Sequence, residues 1–124
     1  MPSARFSKDR RVRRRAEFQR VFDLSVRTKG RYLTILVAPN DAGSARLGIV
    51  ASRKLGDAVR RNRAKRLIRE VFRRSEFPGR RGVDVVVIPR RELFEAAFAD
   101  FEADFRTTFK RCAARLPASS DVLE

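Results

Sequence analysis

Between Gly56 and the Pro78-Gly79 pair lies a stretch that admits few folds. The spacing of its apolar residues predicts a helix from Asp57 or Ala58 to Arg74, with Asp57 as N-cap. At about 100° per residue, and with Val59 as origin, Ala64, Leu67, Ile68, Val71 and Phe72 span about 80° to about 220°. Asn62, Lys65, Arg66, Arg69 and Arg73 span about 240° to about 340°, Arg61 marks the border, and Arg63 continues the polar side. An apolar arc this wide is a core face. The helix must bury it against a sheet or another helix and hold the cations away from that core.

Solvated charged faces usually mix signs, because opposite charges four residues apart attract. Here Glu70 alone offers a partner. Like pairs such as Lys65 with Arg69 and Arg69 with Arg73 cost about 0.2–0.5 kcal/mol each, and a phosphate backbone reverses the sign of that cost. The whole chain repeats the imbalance: 30 Lys and Arg face 15 acids, a formal net charge of +15. Residues 1–31 hold 11 basic side chains and residues 53–74 hold 10, whereas Glu92, Glu95, Asp100, Glu102 and Asp104 gather elsewhere. Such segregation implies a binding side and a solvent side, and nucleic acid is the commonest polyanionic partner. Only five of the cations are lysines. Guanidinium grips phosphate with two prongs and stacks on bases.

The elements around this helix read as one domain over 15–116, between a flexible basic arm over 1–14 and a disordered tail over 117–124. Phe18, Val21 and Phe22 recur at helical spacing in 15–25, and 31–38 and 46–52 read as strands expected to pair as an antiparallel hairpin. Gly48 weakens or bends the second of them. Residues 83–88 (VDVVVI) form a buried strand, and 92–116 a helix broken by a turn before Asp100. The expected class is α+β: a small α/β sandwich, an about four-stranded sheet with three helices, in the order αββ(β)αβα. Cys112, at core spacing with Phe105, Phe109 and Leu116, reads as a buried small hydrophobe. A lone cysteine, the lack of an apolar run of about 18 residues, and a charged N-terminus without a signal-peptide pattern point to a soluble, cytoplasmic protein.

Catalysis by the protein alone is not expected. The chain has no histidine, and Asp57, Glu70 and Asp84 fall in three different elements without two-metal spacing. No glycine loop carries the Lys-Ser/Thr of a phosphate cradle. Three classes fit a basic chain of this size: a ribosomal protein, a DNA-binding protein reading the major groove, and a basic protein resting on acidic membranes. The second lacks a dimerising element. The third is opposed by the acidic face of the last helix.

The run from Arg53 to Glu70, centred on Arg61-Asn62-Arg63 and followed by Lys65-Arg66 and Arg69, resembles the signature of the bacterial ribonuclease P protein subunit. Glu17-Phe18-Gln19-Arg20-Val21-Phe22 is similar to that family's first helix, and the likeness covers about residues 13–112. The resemblance implies a protein that supports removal of the 5′ leader from precursor tRNA, with the chemistry carried by a catalytic RNA. Mg²⁺ is then held mainly by RNA, the partners are that RNA and precursor tRNA, and neither a membrane nor an obligate protein partner is implied. Catalytic RNA is expected on Arg60, Arg61, Asn62, Arg63, Lys65, Arg66, Arg69 and Arg73. The leader is expected in a cleft with Phe18, Phe22, Arg53, Lys54 and either Tyr32 or Leu36, and Arg10, Arg11, Arg13 and Arg14 form the basic arm. The resemblance further implies a left-handed crossover through the arginine-rich helix, an exception to a rule of handedness that holds in about 98% of cases.

Overall fold

A computed structural model describes residues 11–12, 14–40, 43–75 and 82–116. Helix α1 (Arg15–Leu24) leads into strands β1 (Val26–Lys29), β2 (Leu33–Pro39) and β3 (Arg46–Ile49). A 3-10 turn (Arg53–Leu55) precedes α2 (Ala58–Arg74), and β4 (Val83–Pro89), a second 3-10 turn (Arg91–Glu95) and α3 (Phe98–Ala114) complete the chain. Asp57 caps α2 as expected, its Oδ1 accepting the N–H of Arg60 at 3.0 Å.

The four strands lie in the order β1-β2-β4-β3. This corrects the expected pairing of 31–38 with 46–52. β2 pairs antiparallel with β1 and with β4, and β3 runs parallel to β4 on its far side. The seven-residue run of β4 is buried on both faces and therefore takes the centre, displacing β3 to the edge. Because β3 and β4 are parallel neighbours, α2 is the crossover between them. Residues 11 and 12, expected in a free arm, are placed on the sheet. Arg11 bridges Leu47 in parallel fashion, the Val12 N–H donates to the Leu47 carbonyl at 2.8 Å, and Val12 is buried.

The two faces differ. Leu33, Ile35, Val37, Val85 and Val87 pack with Ala64, Ile68, Val71 and Phe72 of α2 and with Phe101, Phe105, Phe109 and Cys112 of α3. The apolar arc of α2 is thus seated as its spacing predicts, and the Cys112 thiol donates into the core, to the carbonyls of Val26 and Ile35. The opposite face carries α1, with Val21 over Leu36, Ala38 and Val86, and Phe18 at the margin. An ion network ties α1 down. Asp84, fully buried, takes two hydrogen bonds from the Arg46 guanidinium, both 2.8 Å, and one from Asn40 at 2.6 Å. Arg46 reaches Glu17 at 3.2 Å, whose other oxygen accepts the Arg14 N–H at 3.0 Å. The contact with Asp84, first of all, raises the pKa of Arg46.

Candidate nucleic-acid interface

α2 holds Asn62, Lys65, Arg66, Arg69 and Arg73 on the polar arc of the helical wheel, while Arg60 and Arg61 belong to its first turn, at angles within the apolar arc. Arg60, Asn62, Arg63 and Arg66 are exposed, Arg61, Lys65 and Arg69 are half-buried, and Arg73 is exposed but engaged with Glu70 at 2.6 Å. That hydrogen bond lowers the Glu70 pKa. Val59, the origin of the wheel, is 75% exposed and lies outside the core arc.

The sheet brings part of this column to α1. α2 packs beside the edge strand β3, so its flank reaches round that edge toward the face that carries α1. A cleft of about 270 Å³ opens there, lined by Phe18, Leu47, Gly48 and Ile49 together with Arg11, Val12, Lys65 and Arg69. Gly48 makes the cleft possible. A Cβ at that position would stand 2.8 Å from Phe18 Cε1 and 2.9 Å from Val12 Cβ, so only glycine lets the ring lie on the strand. Three cations thus share one concavity with an aromatic ring. Burial first, and the charge of Arg11 second, lower the pKa of Arg69. The Nε of Arg11 is buried without a hydrogen-bond acceptor among the described residues. Cations held together at this desolvation cost form a site made for an anion.

The expected cleft residues separate. Phe18 is half-buried at the cleft wall, while Phe22, one turn on, is 41% exposed. Leu36 points toward α1 but is 1% exposed beneath Val21, so it floors the face without being open. Tyr32 belongs to the opposite layer: it is 8% exposed in the α2–α3 core, its backbone N–H donating to Asp104 of α3 at 2.9 Å. Tyr32 therefore faces away from the cleft, because the chain bends at residues 31–32, before β2 begins. Arg53 and Lys54 are exposed on the 3-10 turn before α2 and do not line the cavity beside Phe18. Arg10 and Arg13 lie outside the described residues, and Arg14 is exposed at the start of α1.

Two cations escaped the sequence reading. Arg27 pairs with Leu36 and Lys29 with Thr34, which sets both on the α1 face of the sheet, where both are exposed. The signal was the alternation Val26-Arg27-Thr28-Lys29, too short to be read as a strand. Arg90, by contrast, is structural: it donates to Thr34 Oγ1 at 2.9 Å and to the carbonyls of Gly30 and Leu33.

A family model described as Ribonuclease P matches residues 6–113. The chain belongs to the ribonuclease P protein family. It is 41% identical over 90 residues to the ribonuclease P protein component of Thermotoga petrophila, covering 73% of this chain and 77% of that one. With the corresponding protein of Syntrophus aciditrophicus it shares 34% over 100 residues, covering 81% and 84%. The solved ribonuclease P protein of Thermotoga maritima superposes with a TM-score of 0.73 at 36% identity, over 82% of this chain and 96% of that one. Membership makes the chain a subunit of an endoribonuclease of tRNA 5′ processing, partnered by ribonuclease P RNA and the tRNA substrate. Among the described residues no helix is long and apolar enough to cross a membrane.

Proposed function

We propose that this ribonuclease P protein docks on the catalytic RNA through α2 and holds the 5′ leader of precursor tRNA along the α1 face, while the RNA performs the cleavage. The observation that carries the proposal is the continuity of the two surfaces. Asn62, Arg63 and Arg66 on the polar side of α2 continue into Lys65 and Arg69 at the cleft beside Phe18, and Arg60 and Arg61 add charge in the first turn. One helix therefore touches both RNAs, and Phe18 and Phe22 offer rings to unpaired bases above a sheet face bearing Arg27 and Lys29. Arg53 and Lys54 extend the basic surface at the start of α2.

The carboxylates take structural roles: Asp57 caps α2, Glu70 pairs with Arg73, and Asp84 pairs with Arg46. No three acidic or cysteine side chains converge as metal ligands among the described residues. In this reading Mg²⁺ is held by RNA phosphates in a cytoplasmic ribonucleoprotein without an obligate protein partner. The test is reconstitution. The protein added to a matched catalytic RNA at low Mg²⁺ should restore precursor-tRNA cleavage at the mature 5′ end, and no stimulation would sink the proposal.

A further inference from the structure

A second basic cavity, of about 370 Å³, lies apart from the leader cleft and is lined by Arg60 and Arg63 of α2 and by Arg91, Phe94 and Glu95 of the 3-10 turn after β4. Its size falls within the range of small-ligand sites, about 300–1,000 Å³. The topology explains why residues 28 to 35 positions apart in sequence meet here. β3 and β4 run parallel, so their C-terminal ends share one end of the sheet, and the start of α2 and the turn at Arg91 emerge together.

Arg60, Arg63 and Arg91 are exposed, and none of them forms an ion pair among the described residues, although Glu95 lines the same cavity. Phe94 is half-buried, packed on the main core on one side and lining the cavity with the remainder. The cavity thus combines three guanidiniums, the positive end of a helix, an aromatic platform and one carboxylate. Phosphate satisfies the guanidiniums, and a nucleobase stacks on the ring. The carboxylate only accepts hydrogen bonds and repels phosphate, so the ligand groups that suit it are base donors. Guanine presents two adjacent donors on its pairing edge, N1–H and the exocyclic N2–H. Adenine and cytosine present an amino group beside an acceptor, and uracil presents one N–H flanked by two acceptors.

We infer that this cavity is a subsite for an unpaired guanine nucleotide of the catalytic RNA, with Phe94 stacking on the base, Glu95 reading its edge, and Arg60, Arg63 and Arg91 holding its phosphates. The inference rests on the proposed docking of α2 on that RNA and extends the docking surface beyond α2 to the turn after β4.

The test uses the full chain bound to catalytic RNA. A photoreactive benzoylphenylalanine at position 94 should cross-link to an unpaired guanine of that RNA. Cross-links confined to the leader or to paired bases, or none at all, overturn the inference. Phe94→Leu, which keeps the packing against the core and is checked by thermal melting, should weaken RNA affinity about fivefold to about a hundredfold. The ratio of affinities for leader-bearing and leaderless substrate should stay unchanged. Inosine, which lacks the exocyclic amine, in place of the cross-linked guanine should cost wild type roughly tenfold and cost Glu95→Gln much less. Wild-type affinity in Phe94→Leu, with the wild type binding tightly, removes the subsite alone. Failure of the wild type to bind the RNA removes the docking proposal with it.

Discussion

Two phenylalanines one helical turn apart have different surroundings. Phe18 is wedged over Gly48 and lines the cleft, whereas Phe22 is 41% exposed and carries little of the core. Phe22→Ala should leave the melting temperature within a few degrees of wild type, since exposed substitutions stay within about 0.5 kcal/mol. It should nevertheless weaken binding of leader-bearing substrate by about 1–3 kcal/mol, an effect absent with leaderless substrate. An equal loss with both substrates would place Phe22 in the fold rather than on the leader. Asp84 behaves in the opposite way. Asp84→Ala leaves the Arg46 guanidinium partly buried without its two-pronged partner, and the unfolding free energy from urea titration should fall by about 3 kcal/mol. A loss under about 1 kcal/mol would mean that water satisfies Arg46. Cys112 supplies a pH signature. Burial pushes its thiol above the ordinary value. Its contribution to stability is therefore complete below the unfolded thiol's pKa of about 8.5 and is lost as pH rises through the higher folded-state value. Wild type should lose more stability than Cys112→Ala on going from neutral to alkaline pH, as read from urea midpoints. Parallel curves would show that the thiol ionises freely in the fold.

At the scale of elements, α2 was the most legible part of the chain. Five apolar residues in one arc and five polar ones in another leave a helix a single way to sit, and the structure buries Ala64, Ile68, Val71 and Phe72 accordingly. The division can be tested on two neighbours. Arg66→Ala should weaken binding to the catalytic RNA with an unchanged melt, while Ile68→Ala should cost about 2–5 kcal/mol of stability through the cavity it leaves. Unfolding by Arg66→Ala would show the faces reversed. Strand pairing was less legible. β2 and β3 follow one another in the chain, and that proximity suggested a hairpin. Yet β4, buried on both faces, competes for the central place and wins it. β1 was missed because four residues with two cations carry no hydrophobic run. The choice between Tyr32 and Leu36 stays open in the sequence because Tyr32 lies just outside β2, where the alternation of faces does not extend. The network of Glu17, Arg46, Asp84 and Asn40 spans four segments, and no local pattern announces a contact across that distance.

For the molecule as a whole, a formal net charge of +15 means that binding to RNA is also a release of counterions. If about five phosphates of single-stranded RNA are neutralised, the log–log slope of affinity against salt should be near −3.5. Filter binding over a range of monovalent salt measures it, and a flat line would contradict an electrostatic interface. The same self-repulsion opposes compaction in the absence of RNA, so the ribonucleoprotein is the state in which this charge is balanced.

The place of β4 at the centre of the sheet has a consequence for the order in which the chain can assemble. As synthesis proceeds from the N-terminus, β3 and α2 emerge before the strand that β3 pairs with and before much of the bed on which α2 lies. Until residues 83–89 follow, β1 and β2 can close as a hairpin, but β3 lacks its partner strand and has only the bridge to residues 11 and 12, and the apolar arc of α2 lacks part of its bed. The arginines of α2 are therefore presented to passing RNA while the protein is still incomplete. A nascent chain of this topology can meet its nucleic acid before it has a core.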